Sequence, residues 1–541
     1  MPIDCKSDLK IFVSIFIIWF FFVSALRCQN YHSFSFGGAG VETVSSIILS
    51  PETLITSGTF DQSFQWGDFI LVPKGKRDFY IALTDLSGQP IHLLTGGSFR
   101  EDDISNIIKQ PNGNLIIGGT YWGGGYFLDT LLANTQNSKS AFLTAFSPEG
   151  IAIWRNFIVG SGGIELKSLA LIDQKIYAAG TFENSLTIGD TVIYADYPEN
   201  LWVAEFDGQG EFHKVIHFNA TKNLTLIKMI PLPKGDLILG GHFNDSLIFP
   251  QDTLTANTLD EDIFILSLDT QLEINWYLKG GGVHRDALID LVSNHENQII
   301  ATGDFVGRLI FSNGEELNSG DGIGDAFLVC FDHLGNSLWQ KNLGGLNFQG
   351  THALHTDTQS LIVCGSFESE LLIENEIIAT SADLERQVFL SFFDFNGTYE
   401  KVEIFQNSAQ FFPSQIVGSG SNIGVTGSFA NTLSIGNQSF ESPSNYQAVV
   451  VNLNQATTSF YNQSKNIPTV HLFPNPANNW IQWDADLKVQ KLLLYHISGQ
   501  KIIEMEAPDN TIYLPSLSPG FYFLQLIDQK GMILSSTFIK N

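Results

Sequence analysis

The side chains that do chemistry are present in this sequence, but not in the spacings that chemistry needs. No G-x-S-x-G, H-E-x-x-H, phosphate-binding loop or C-x-x-C occurs. The 12 histidines are scattered. His352 and His355 read as H-x-x-H, but residues three apart on a strand point to opposite faces, so each reads as a packed or solvated side chain. Paired carboxylates follow glycine pairs at Asp102 and Asp103 and at Asp286 and Asp290, where glycosidase-type chemistry would need two of them at a defined separation. The run Tyr121-Trp122-Gly123-Gly124-Gly125-Tyr126 offers Trp122 and Tyr126 as rings for stacking on a sugar or gripping a peptide, against the plainer reading that they cover a strand edge. His284, Arg285 and Asp286 form a second candidate binding cluster. No residue set has metal-ligand or cofactor spacing, so the expectation is no catalytic residue, no metal and no cofactor.

These residues hang on a repeat. Gly-x-(Phe/Tyr) occurs at Gly58, Gly119, Gly180, Gly241, Gly303, Gly365 and Gly427, with gaps of 61, 61, 61, 62, 62 and 62 residues. Each copy ends an apolar strand such as LITSGTF or LIVCGSF, followed by a polar excursion and a second apolar strand such as DFYIALTD or DAFLVCFD. Apolar residues at nearly every position mean that both strand faces are covered. In the repeat from Ala287 to Gly345, ALIDLV, QIIATGDF, RLIF, DAFLVCFD and SLWQKNLGG read as five successive strands, RLIF being a short third. Asp-x-x-Gly at Asp85, Asp207, Asp332 and Asp394 reads as a hairpin turn, because it lacks the alternating acids of a calcium loop. Trp154, Trp276 and Trp339 share one repeat position before Gly-Gly and read as core. Cys330 and Cys364 fill slots taken by small or apolar residues in other repeats, and so read as buried thiols.

A strand-only repeat of this length fits a propeller blade. The predicted fold class is all-β: a seven-bladed β-propeller over 31–455, then a small Ig-like β-sandwich. The pattern resembles the seven-bladed propeller families built from D-x-F, D-x-x-G, Trp and Gly-Gly repeats, a resemblance that bears on fold. Two segments compete to complete the last blade: Ser33 to Gly38 and Thr457 to Asn462, the first being favoured.

Composition narrows the partners. A formal charge of −28 argues against nucleic acid and against an anionic membrane surface. Lys6 and Lys10 precede the apolar run Ile11 to Leu26, which is short for a membrane span of about 20 residues and reads as a signal peptide over 1–28. An uncleaved anchor is the alternative. Arg27 before Cys28 argues against lipoprotein processing.

After a polar linker at 456–466, Phe473-Pro474-Asn475-Pro476-Ala477, then Leu494-Tyr495-His496-Ile497-Ser498-Gly499-Gln500, then Leu517-Ser518-Pro519-Gly520-Phe521-Tyr522-Phe523-Leu524 follow in order. Residues 467–541 resemble the C-terminal sorting domain of type IX (Por) secretion cargo, on the motif residues Pro474, Asn475, Pro476, Gly499 and Gly520. His496 departs from the usual acidic or amide residue. The resemblance implies the type IX machinery as partner and a secreted or outer-surface location, with no transmembrane segment in the mature chain. Together with the missing catalytic motifs, it leads to the expectation of a non-catalytic binding or adhesion protein whose glycan or protein ligand is unidentified. The alternatives are a secreted hydrolase or lyase acting on extracellular polysaccharide or protein, and a purely structural surface-layer component.

Overall fold

The computed structural model describes residues 33–454 and 472–540, apart from short loop segments within those spans. The expected signal segment, Cys5, Cys28, the linker, Thr457 to Asn462, Asn475 and Gly499 lie outside the described residues. The chain divides into two compact units, 1–460 and 461–541.

Every element among the described residues of the first unit is a strand. Among the described residues, seven antiparallel sheets carry the repeats, each with a core of four strands. In sheet five these are Asp286–Ser293, Ile299–Phe305, Asp325–Phe331 and Ser337–Gly344, in that spatial order. The first strand of each sheet packs against the first strand of the next, and Phe411–Ser419 of the last packs against Ser46–Leu49 of the first, so the series returns on itself. Clusters of buried side chains fill the gaps between neighbouring sheets. Tyr177, Val203 and Phe218 of sheet three, for example, share a core with Leu226, Leu239 and Phe264 of sheet four. That two-sided burial is why the strands are apolar at nearly every position.

The seven glycine anchors lie on the second strands. In sheets two to seven the first strand carries a β-bulge, and the residue just before it faces the anchor: Ile104 opposite Gly119, Leu166 opposite Gly180, Leu288 opposite Gly303. A Cβ at the anchor would run into a first-strand carbonyl, that of Asp103, Glu165 or Ala287 in these three sheets. The glycine is therefore demanded by close approach within its own sheet, at the bulge, rather than between sheets. The aromatic ring two residues on is at most 1% exposed in all seven copies.

The polar excursions form hairpins, and here the structure differs from the sequence reading. Arg308–Phe311 is not a third strand of sheet five. With Glu316–Asn318 it forms a hairpin that pairs with Ile274–Gly281, the fourth strand of sheet four. The hairpins beginning at Gly125, Ser246 and Glu370 extend the preceding sheets in the same way. A fourth strand otherwise leaves its backbone donors and acceptors unpaired, and the hairpin occupies that edge.

Asp-x-x-Gly closes the turn between third and fourth strands. Asp332 Oδ1 accepts from the amides of Leu334 and Asn336 at 2.8 and 2.9 Å, and Gly335 takes a φ of +82°. The preceding sheet's tryptophan reaches this turn: Trp276 Nε1 donates to the carbonyl of His333 at 3.0 Å, and Trp339 Nε1 to that of Phe395 at 2.9 Å. Cys330 and Cys364 are buried free thiols.

Sheet seven takes its fourth strand from the other end of the unit. Phe34–Phe36 pairs with Gln447–Asn454, Phe34 opposite Val450 and Phe36 opposite Ala448.

In the second unit, a four-stranded sheet of Val489–His496, Lys501–Glu506, Gly520–Asp528 and Ile533–Lys540 accompanies the pair Trp480–Gln482 and Thr511–Tyr513. Ile481, Trp483, Leu492, Leu494, Ile512, Leu524 and Phe538 form its core.

Closure predicts a sharp stability cost. Phe36 is 6% exposed, stacked on Trp66 at 3.8 Å and edge-on to Tyr80 at 5.6 Å. Phe36→Ala is expected to lower the unfolding free energy by about 3 kcal/mol. Phe99→Ala, at a ring that is 70% exposed, should change it by about 0.5 kcal/mol or less. Urea titration followed by tryptophan fluorescence compares the two.

Candidate functional site

First and third strands of a sheet run the same way, so their starting ends share one rim. The loops leading into first strands and the hairpin excursions meet there. Counting three residues back from the partner of each anchor glycine gives one rim position per sheet: Arg77, Lys139, Glu199, Glu261, Gly324, Arg386 and Tyr446. Most of the charged ones are tied to the next sheet. Arg77 pairs with Glu101 at 3.5 Å, Lys139 with Glu165 at 2.6 Å, and Glu261 with Arg285 at 2.6 Å. Glu199 accepts from the amide of Leu224.

Arg386 is different. Its guanidinium lies over the Phe412 ring of sheet seven, 4.8 Å from the centroid, and Phe412 in turn meets Tyr446 edge-on at 5.5 Å. Nη2 lies 3.2 Å from His352 Nε2. Burial, with Arg386 beside it, pushes His352 down to about 4, so the neutral ring accepts the hydrogen bond. Ser366 Oγ is 3.0 Å from the same nitrogen.

The residues singled out from the sequence fall on three separate sheets. Trp122, on sheet two, is half-buried with the Arg100 guanidinium 5.0 Å from its ring centre. Its amide donates to Asp102 at 3.2 Å, and its carbonyl accepts from Ser98 Oγ at 2.8 Å. The backbone of Tyr126 pairs with Gly97 and Leu131, but its ring lies outside the described residues. On sheet five, His284 and Arg285 are exposed, Arg285 being held by Glu261. Asp286 is buried, and Oδ2 accepts from the amide of Gly282 at 2.6 Å.

The paired carboxylates do not converge. Asp102 caps the loop at Ser98 and Trp122. Asp290 sits on the inner strand, paired with Lys228 at 2.6 Å and accepting from the amide of Leu354 at 2.7 Å. His352 is the extra residue of the bulge in its strand, pointed at Ser366, whereas His355 packs against Gly418. His355 lines a cavity of about 1030 Å³ at the opposite ends of the first strands, together with Asp173, Leu232, His295 and Asp357. Arg386, Phe412 and Tyr446 escaped the sequence reading. Register counting from the anchors finds the Arg386 and Tyr446 positions, although the intervening loops vary in length.

Several rim carboxyls are raised by burial: Asp286 to about 8, Glu42 to about 7, and Asp102 and Asp304 to about 6. For Asp286, the opposing backbone hydrogen bond from Gly282 is outweighed.

Residues 471–541 match the family described as the secretion system C-terminal sorting domain. Such a tail implies interaction with the type IX machinery, secretion and attachment at the outer surface. No curated protein matches the sequence. Solved structures similar to the chain include extracellular domains 1-2 of Drosophila semaphorin 1b (8% identity, 78% of this chain and 86% of that one, TM-score 0.37). Phage phi92 endosialidase is similar over 94% of this chain and 79% of its own, at 9% identity and TM-score 0.37. PorZ, a surface component of the type IX secretion system of Porphyromonas gingivalis, is similar over 94% of this chain and 100% of its own, at 9% identity and TM-score 0.15. With superpositions this loose, the architecture rests on the chain's own strand pairing.

Two outcomes are expected. Asp286 keeps its proton in the folded chain up to about pH 8, whereas the unfolded chain releases it near the ordinary 3.8. Its stabilising contribution is thus full below that lower value and lost as pH rises towards 8. The melting temperature should fall between pH 5 and 8.5, and Asp286→Asn should flatten the upper part of that fall. Second, deleting residues 471–541 should abolish surface display in a host with the type IX system, read by protease accessibility on intact cells.

Proposed function

We propose that this chain is a seven-bladed β-propeller with an Ig-like C-terminal sandwich, delivered by a signal peptide and the type IX system. At the cell surface it acts as a non-catalytic binding protein. The rim where the first strands begin holds the ligand.

One observation carries this reading. The rim exposes apolar and aromatic side chains, Phe99 at 70%, Val283 at 64%, Leu346 at 56%, Phe412 at 39% and Tyr446 at 37%. These are interspersed with the cations Arg100, Arg285 and Arg386, on a chain of net charge −28. Exposed rings beside guanidinium groups suit stacking and hydrogen bonding to an extracellular ligand. The carboxyls Asp102 and Asp286 at the same rim are occupied by backbone amides, which leaves them poorly placed for proton transfer to a substrate.

The test is a glycan and surface-protein array probed with the full chain, alongside a hydrolysis assay on the same panel. Binding without turnover is expected, and Trp122→Ala with Phe99→Ala should weaken it about tenfold or more. Turnover of any panel member would replace the binding reading with an enzymatic one.

A further inference from the structure

The charged rim positions divide by how they are compensated. Arg77, Lys139 and Glu261 each face an opposite charge on the next sheet, and Glu199 takes a backbone amide. At the equivalent position Arg386 meets a phenyl ring, and among the described residues it forms no ion pair. Its hydrogen-bond partner, His352, is neutral at physiological pH and supplies no negative charge. Glu368 acts on it electrostatically, more weakly than burial does and from beyond ion-pairing distance. Nε is buried without a partner. A partly buried guanidinium without an ion-pair partner is costly, and an anionic ligand relieves that cost.

Phe412 lies against it and Tyr446 stands beside Phe412, both more than a third exposed and offering apolar ring surface. The strand that follows Arg386, Gln387–Phe393, is paired on both edges, with Leu361–Phe367 and Tyr399–Phe405. An extended peptide therefore finds no free edge on the arginine's own strand, and the sheet's outer edge, at Tyr399–Phe405, lies one strand away. A compact ring with an apolar face suits the site better.

We infer that the junction of sheets six and seven binds a carboxylate-bearing saccharide, with Arg386 pairing the carboxylate and the Phe412 and Tyr446 rings supporting the sugar. The inference rests on the binding reading above and assigns that rim a ligand class. A planar guanidinium recognises a carboxylate through charge-assisted hydrogen bonds, and the carbohydrate's C–H face packs on aromatic carbon.

The test is calorimetric titration of the full chain with uronate trisaccharides (galacturonate, glucuronate, mannuronate), with their methyl esters, and with a glutamate-rich hexapeptide. At least one uronate should bind. Its ester, which keeps the ring and loses the charge, should bind roughly ten- to hundredfold more weakly. Arg386→Gln should lose binding by a similar factor with circular dichroism unchanged, and Lys234→Gln, at an exposed lysine at the opposite ends of the strands, should not. The ester comparison uses the unaltered chain, so it stands even if the arginine variant fails to fold. Esters that bind as well as acids would overturn the inference, as would the absence of any uronate binding. Tighter binding of the hexapeptide than of every uronate would overturn the saccharide assignment. If neutral glycans bind on the array without any acid preference, the binding reading survives and this inference falls.

Discussion

The first unit depends on a pairing between its two ends. Phe34–Phe36 lies beside Gln447–Asn454, and Ser33 Oγ exchanges hydrogen bonds with the backbone of Asn452 across 419 residues of chain. Closing so long a loop carries an entropic cost, but that cost grows only with the logarithm of length. Against it stand a completed sheet, the Phe36, Trp66 and Tyr80 cluster, and further ties between the first strands of the last and first sheets. Ile47 donates its amide to Gln415 Oε1 at 3.0 Å, and Ser414 Oγ donates to the carbonyl of Val44 at 2.7 Å. Without this seam, sheet seven would present a bare edge, and the cores between neighbouring sheets would be open at one place.

The same inner strands carry a belt of contacts around the unit. Ser105 reaches the carbonyl of Leu166, Ser168 that of Met229, Lys228 the carboxylate of Asp290, and Asp290 the amide of Leu354. Each belongs to one sheet and acts on the next. The bulge beside the anchor glycine re-aims this part of the strand. Repetition of the bulge therefore explains both the invariant glycine and the recurring cross-links, and Asp290 serves this belt instead of a reaction.

At the rim, the same geometry is filled with different chemistry. Positions that coincide in register hold arginine, lysine, glutamate, glycine or tyrosine. The salt bridges among them are at least partly exposed, and individually each contributes little, about 0 to 1 kcal/mol. They matter more for what they leave over: a rim whose register-matched cations are mostly paired, with Arg386 set against Phe412 and Arg100 against Trp122. The repeat is broken at the rim, where side chains are not all committed to the packing that every sheet shares.

The sequence alone determined the period, the strands and the sorting tail. Gly-x-(Phe/Tyr) is local chemistry: a glycine for a close carbonyl and a ring two residues on for the core, both readable along one strand. The tail was legible for the same reason, since Phe473 to Ala477 and Leu517 to Leu524 are short contiguous motifs. What the tertiary structure decided is which strand a segment pairs with and which charges meet. Four of the excursion hairpins join the preceding sheet at its free edge, a fact that no residue in the hairpin encodes. Trp122 and Arg285 stood out as local oddities, whereas Arg386 drew no attention: its ring, Phe412, lies 26 residues away, and its histidine, His352, lies 34 residues back. Contacts between sheets recur at similar separations, 24 to 26 residues at the rim and 61 to 64 in the belt, but the residue types that meet there differ from sheet to sheet, and only the folded chain shows which partners pair.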